Sequence, residues 1–277
     1  MVDRWQTKRM MILFGVISGG LVSLAFVRPY EKEIALAELV LQLSGARGAF
    51  AMGCTLPDLV RFMLRMVPNM LVVMMLGSQL YRHFCTASVY VFSRYPNRLQ
   101  WYLKSLASLF ANVCFFELIF VTSTVLAAMP RYRILFSKSG VLLLGFHALI
   151  YTVWIFGWVL MTNLFAIRLG SSRSFMAMMT AQAVCTATLA FVRIFERNGM
   201  SAEFIKLFIE INPVAHTVLS WHQGAPFGEA LAHSRYDLSP LATIMLLIIL
   251  DIVIVLAGAA VAGRYDLLSE NRETEED

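Results

Sequence analysis

Charge is scarce in this sequence. Across 277 residues, Asp, Glu, Lys and Arg together make up 15%, against 58% for hydrophobic residues, a balance outside the range of soluble globular chains. Water would not tolerate the surface that such a chain presents. The formal net charge is +5, but the basic residues are scattered through loops. A nucleic-acid partner would need them massed on one face or arm, and is excluded. Cysteine is also sparse: Cys54, Cys85, Cys114 and Cys185 show no C-x-x-C spacing, and Cys114 and Cys185 lie inside apolar runs. All four read as small buried apolar side chains rather than zinc ligands or disulfide partners.

The motifs that carry most chemistry are missing as well. There is no G-x-x-x-x-G-K-[ST] loop to cradle phosphate, no H-E-x-x-H to bind zinc and no G-x-S-x-G to present a serine nucleophile. His83, His147, His216, His222 and His233 fall at no ligand spacing, and His216 and His222 are too far apart to share one face of a short helix. No catalytic residue, metal site or cofactor of the chain's own is expected. No repeat of 20 to 50 residues recurs and no low-complexity linker divides the chain, so residues 1–277 read as one domain.

What the sequence has in abundance is long apolar runs, near the length of about 18 residues needed to cross hydrocarbon. They fall at about 10–27, 67–81, 106–129, 141–167, 175–195 and 241–262. The fold class is therefore an all-α integral membrane protein, a bundle of about six transmembrane helices. The first run follows Arg4, Lys8 and Arg9 and precedes a weak cleavage pattern at Ser23 and Ala25; it reads as an uncleaved span rather than a secretory signal. The second extends back through Leu59 and Phe62, bringing Arg61 and Arg65 to its outer end, where long basic side chains snorkel. Six spans place both termini on one side. The density of Lys and Arg in the loops puts that side in the cytoplasm, although Arg131, Arg133 and Lys138 in an outer loop run against the bias.

Two connecting segments carry helical patterns of their own. Glu31–Leu43 has Glu31, Glu38 and Gln42 on one narrow stripe and apolar residues around the rest, which suits either a surface-lying helix or a packed extracellular one. Ala202–Ile211 places Glu203, Lys206 and Glu210 on one face, Asn212 and Pro213 break it, and the apolar stretch Val214–Trp221 follows. Helix, break and helix, with neither piece long enough to cross, predicts a re-entrant hairpin over 199–222 on the outer side, before the last span. The tail Leu267–Asp277 is acidic and frayed in expectation.

The loop after span two contains Arg82, Arg94, Arg98 and Lys104 with no acidic residue. Its end reads RYPNRLQWYLK: Pro96 stops what precedes it, and Asn97 then caps a short amphipathic helix bearing Leu99, Trp101, Tyr102 and Leu103 as exposed aromatics and aliphatics. Ordinary positive-inside anchoring with an interfacial Trp and Tyr accounts for the same residues.

The stretch PNMLVVMMLGSQLYRHFCTASVYVFSRYPNRLQWYLKS, Pro68–Ser105, resembles the second span and following cytoplasmic loop of the permease subunits of type 2 ABC exporters. It is similar in particular to the small permeases that accompany bacteriocin or lantibiotic transport and immunity ATPases. INPVAHTVLSWH, Ile211–His222, resembles their outer segment before the last span. The resemblance implies six spans per subunit, a coupling helix between spans two and three, and a re-entrant hairpin before span six. It places Arg94, Arg98, Trp101, Tyr102 and Lys104 at the contact with a separate ATPase. ATP and Mg would belong to that partner, and the permease would work with a second copy or a related permease in a bacterial cytoplasmic membrane.

Inside the membrane, Glu117 lies near the middle of span three and Asp251 near the middle of span six. An ionised carboxylate there costs a few kcal/mol on insertion scales, so both should face the bundle interior. His147, Tyr151, Trp154 and Trp158 recur at steps of four, three and four, forming one stripe along span four. It reads as the lining of a substrate path, a subunit interface or a bundle-core stripe. Gln182 and Thr186 are one turn apart in span five, facing one cavity or bonding a neighbouring helix. Gly15 and Gly19 in span one permit a close helix contact. The expected function is an ATP-driven exporter permease moving an amphipathic peptide, or else a lipid or hydrophobic drug. A non-transporting membrane scaffold or sensor is the alternative, and an intramembrane enzyme using Glu117 or Asp251 a further one.

Overall fold

The computed structural model describes residues 4–28, 32–44, 56–82, 97–224, 227, 231, 236 and 238–264. Arg94, His83, Cys85, Cys54, His233, most of the 82–105 loop and the acidic tail lie outside them. The helices are α1 (Arg4–Phe26), α2 (Leu36–Leu43), α3 (Leu56–Leu76), α4 (Arg98–Ala128), α5 (Lys138–Leu169), α6 (Ser171–Arg197), α7 (Ala202–Ile211) and α8 (Pro240–Arg264). Six of them, α1, α3, α4, α5, α6 and α8, contain stretches long and apolar enough to cross a membrane, and each overlaps an apolar run expected from the sequence. With no water in hydrocarbon, only intrahelical bonding satisfies such a backbone, which is why these runs fold as helices.

α5 is the central helix: 67% of its spanning window is buried, against 11% for α8. It packs against α2, α3, α4, α6 and α8. Ser137 starts it by accepting a hydrogen bond from the Gly140 amide at 3.0 Å, and Gly170, at φ 78°, ends it. Gly170 is the single residue between α5 and α6, and an L side chain there would be strained. Asn97 caps α4 as expected, its side chain accepting from the Gln100 amide at 3.1 Å.

α1 lies along α4, and the two small residues of the G-x-x-x-G pair make that possible. A Cβ on Gly19 would come within 2.6 Å of the Phe120 carbonyl oxygen, and one on Gly15 within 2.8 Å of Ile119. Beyond these helices, the chains that follow α1 and α4 meet at one end of the bundle. β1 (Glu33–Ala35) pairs in parallel with β2 (Arg133–Leu135), Glu33 opposite Arg133, and their side chains form an exposed ion pair at 3.2 Å. Of the expected helix over 31–43, the first part is therefore strand, drawn into extended form by its partner. The remainder, α2, is packed rather than surface-lying: Leu36, Leu39, Val40, Gln42 and Leu43 are all buried. Gln42 accepts from the Arg28 amide at 2.9 Å and donates to Glu38 at 3.1 Å, so its buried amide is satisfied.

After α6 the chain forms α7, capped by Ser201, whose hydroxyl accepts from the Phe204 amide at 3.3 Å. The Lys206–Glu210 pair expected on its surface is present at 4.0 Å. Past the Asn212–Pro213 break the expected second helix is replaced by two single 3-10 turns, Ala215–Thr217 and Leu219–Trp221. The physical reason is local. Asn212 donates to the Cys185 carbonyl at 2.7 Å and to Thr188 at 2.9 Å, and accepts from the Val214 amide at 2.9 Å. Those bonds fix the chain direction at the break before an α-helix can start.

The glycine contact generates a direct test. Gly19→Val should cost about 1–3 kcal/mol of stability through overpacking against backbone, lowering the thermal midpoint of the detergent-purified protein. Gly20→Ala, where a Cβ meets nothing within 4 Å, should leave the midpoint unchanged.

Candidate functional site

The first group of expected site residues sits at the start of α4, and here the structure corrects the expectation. Residues 98–104 are not a separate surface helix; they are the first two turns of the 31-residue α4. Trp101 and Tyr102 are buried, at 7% and 1% exposure, instead of exposed. The Tyr102 hydroxyl donates to the Val255 carbonyl of α8 at 3.2 Å, and the ring lies where Gly258 leaves room. Tyr102 serves the α4–α8 contact, which periodicity could not foresee because the span begins earlier than its apolar run. Leu99, Leu103 and Lys104 are exposed on the other face, and Arg98 is half-buried.

The second group lies in the core around Tyr151. Tyr151 stacks beside His147 (ring centroids 4.3 Å) and meets Trp154 (6.2 Å), which in turn meets Trp158 (6.0 Å). Its hydroxyl donates to the Thr217 carbonyl in the first 3-10 turn at 3.4 Å. Glu117 of α4 and Arg65 of α3 both lie within electrostatic reach of it. The stripe on α5 is thus a continuous ring ladder with one ionisable group approaching from each of two neighbouring helices. The Arg65 guanidinium sits over the Phe26 ring, 4.6 Å from the centroid.

What distinguishes this interior is unspent hydrogen-bonding capacity. Both carboxyl oxygens of Glu117, both ring nitrogens of His147, Nε1 of Trp154, Nε2 of Gln182, and Nε and Nη1 of Arg65 are buried without a hydrogen-bond partner. Glu117 has 0% exposure, and His147 and Gln182 1% each. A buried group left unbonded costs about 1–3 kcal/mol. Gln182 and Thr186 share α6, where Thr186 bonds back to the Gln182 carbonyl at 2.9 Å and leaves the Gln182 amide nitrogen free. Asp251 stands apart: half-buried on α8, it packs against Gly157, where a Cβ would meet its Oδ1 at 2.5 Å.

Three polar side chains hold the frame of this site: Asn163 and Thr243, which the sequence did not single out, and Asn212, which it marked only as a helix breaker. Asn163 of α5, fully buried, donates to the carbonyls of Leu76 (2.9 Å) and Val159 (2.8 Å) and accepts from the Leu80 amide (2.8 Å). It thereby bridges the break between α3 and the single turn Gln79–Tyr81. Asn212 does the same for the break after α7. Thr243, at the start of α8, receives His216 and His222 on one hydroxyl, at 2.9 and 3.0 Å. Burial pushes His222 down to about 4 and lowers His216 as well. An apolar run flanking each residue concealed them, because period alone does not distinguish a bonded Asn or Thr from filler.

A cavity of about 320 Å³ opens between the α3 end, α5 and the start of α6, lined by Val73, Ser78, Thr162, Ser171, Ser172 and Phe175 among others. None of Glu117, His147, Tyr151, Trp154, Gln182 or Asp251 lines it. Among the described residues no group of three or more His, Cys, Asp or Glu is placed to hold a metal ion. No protein-family model, curated protein or solved structure matches the chain.

If the unbonded groups are retained for use rather than for folding, removing one should help the fold. Glu117→Leu, of similar volume, is expected to raise stability by about 1–3 kcal/mol through relief of an uncompensated burial, seen as a higher thermal midpoint in detergent. A clear loss of stability would instead identify Glu117 as part of the framework.

Proposed function

We propose that this chain is the membrane-spanning permease subunit of an ATP-driven exporter of the type 2 ABC class, energised by a separate ATPase. On this reading it works as a dimer, with a second copy or a related permease, and moves an amphipathic peptide or other hydrophobic substrate. The observation that carries it is the cluster of buried, unpartnered polar groups around Tyr151. Such groups are expensive in a membrane interior and mark pathways by default. A bundle that alternates between two states would satisfy them with substrate or water in one state and close over them in the other. The resemblance of Pro68–Ser105 and Ile211–His222 to these permeases supports the class. Both termini are cytoplasmic on this reading, and 199–222 is a re-entrant segment in the outer leaflet.

The continuous α4 supplies a coupling route. Its exposed first turns offer Leu99, Leu103 and Lys104, with Arg98, to a docking ATPase. Arg94 belongs to the same proposed contact; Trp101 lies buried behind it, and Tyr102 holds α4 to α8. Thirteen residues on, roughly 20 Å along the same rigid helix, stands Glu117. A push at the cytoplasmic end is transmitted to the polar interior without an intervening joint.

The test is co-purification from native membranes. A stoichiometric soluble ATPase should accompany the wild-type chain. Leu103→Ala with Lys104→Ala should reduce that recovery at least tenfold while leaving the permease inserted, as expected when a small interface rests on a few anchors of about 2 kcal/mol. Glu117→Gln should retain the ATPase and lower transport. Absence of any ATPase with the wild-type chain would overturn the proposal in favour of a membrane scaffold.

A further inference from the structure

The meeting of His216, His222 and Thr243 allows a proton count. The Nε2 of His216 lies 2.8 Å from the Glu210 carbonyl oxygen, and the Nδ1 of His222 lies 3.2 Å from the Val218 carbonyl oxygen. A carbonyl only accepts, so each of these nitrogens carries the hydrogen. In a neutral imidazole the other nitrogen is then a bare lone pair that needs a donor. For His216 that is Nδ1, at 2.9 Å from the Thr243 hydroxyl, and for His222 it is Nε2, at 3.0 Å from the same hydroxyl. One hydroxyl has one proton. With both histidines neutral, one of the two central contacts therefore sets lone pair against lone pair.

A single added proton resolves the conflict. The protonated histidine donates to the Thr243 oxygen, Thr243 donates to the other histidine, and all four contacts become hydrogen bonds. A second proton would place two imidazolium charges on either side of one hydroxyl. The three side chains are at 3%, 0% and 1% exposure, so water does not screen that repulsion, and each charge opposes the other.

We propose that His216, Thr243 and His222 form a single-proton binding site, which takes up one proton and not two and thereby fastens the 212–222 segment to the last helix. The site is distinct from the Tyr151 cluster and stands whether or not the chain is an exporter. Among the described residues, the ionisable groups around it are few. Glu210 supplies the carbonyl and its carboxylate acts on His216. From α5, Tyr151 meets the neighbouring Thr217 carbonyl, with His147 alongside. From α6, Glu196 accepts from Tyr236 at 2.9 Å, and Tyr236 packs on Trp221. Asp251 of α8 lies two turns from Thr243, against Gly157. The Phe146 ring edge closes the site, 5.7 Å from the His222 ring centroid.

Burial opposes a charge here, so uptake belongs on the acid side of the ordinary histidine value, and the bridging hydroxyl determines how far. The experiment is a titration of the full-length protein in detergent, with ¹⁵N-labelled histidine, followed by side-chain nitrogen shifts. His216→Gln and His222→Gln assign the signals. In the wild type, one imidazole of the pair should become imidazolium on acidification while the other stays neutral. Thr243→Val should lower the proton affinity of the pair at least tenfold, about 1.4 kcal/mol, and Thr243→Ser should restore it. Amide hydrogen exchange across 214–222 should slow on acidification in the wild type and not in Thr243→Val. Simultaneous protonation of both rings in the wild type would overturn the proposal without recourse to any variant. So would an unshifted titration in Thr243→Val, or two rings that stay neutral throughout the folded range.

Discussion

A polar group inside this bundle has no partner but the protein itself, and the rest of the structure follows from that constraint. It forces the apolar runs into helices, and it requires that every break in a helix be answered by a side chain. Asn163 answers the break after α3, and Asn212 the break after α7. Each is a short amide that donates and accepts at once, and so replaces both halves of a missing backbone bond. The groups around Tyr151 stand out against this background because the same rule is left unmet there, for several side chains together.

Much of the frame was legible from the residues. Apolar run length marked all six long helices, and Asn97 marked the start of α4 because a cap is a local device written in neighbouring residues. The G-x-x-x-G pair marked the close face of α1, and a proline after an asparagine marked the end of α7. What could not be read is what depends on residues far apart in the chain. Tyr102 looks like an interfacial aromatic until α8 arrives more than 150 residues later to bury it, with Gly258 making the space. His216 and His222 fall at no useful spacing, and they converge only because Thr243, on another helix, stands between them. The strand at 33–35 carries a helical pattern that a partner a hundred residues away overrides.

The proposed reading separates two tasks within the helical framework. α5 and its ring ladder hold the interior in which unbonded groups await a ligand or water. α4 connects that interior, without interruption, to the end of the bundle where a driving partner would press. The segment 212–222 touches α5, through Thr217 on Tyr151, and α8, through the histidines on Thr243. Its bonding state therefore bears on how tightly α5 and α8 are held.

The pairing of β1 with β2 has a consequence for how the chain is made. Ribosomes deliver the sequence from its N-terminus, so α1 enters the membrane well before its packing partner exists. The glycine face of α1 fits α4 alone, and the strand that follows it hydrogen-bonds to residues 133–135. Until those residues emerge, the first helix has lipid where its neighbour will be and its loop has no mate. The N-terminal part of the molecule cannot mature in order of synthesis. It must wait, inserted but undocked, until residues 133–135 have been translated.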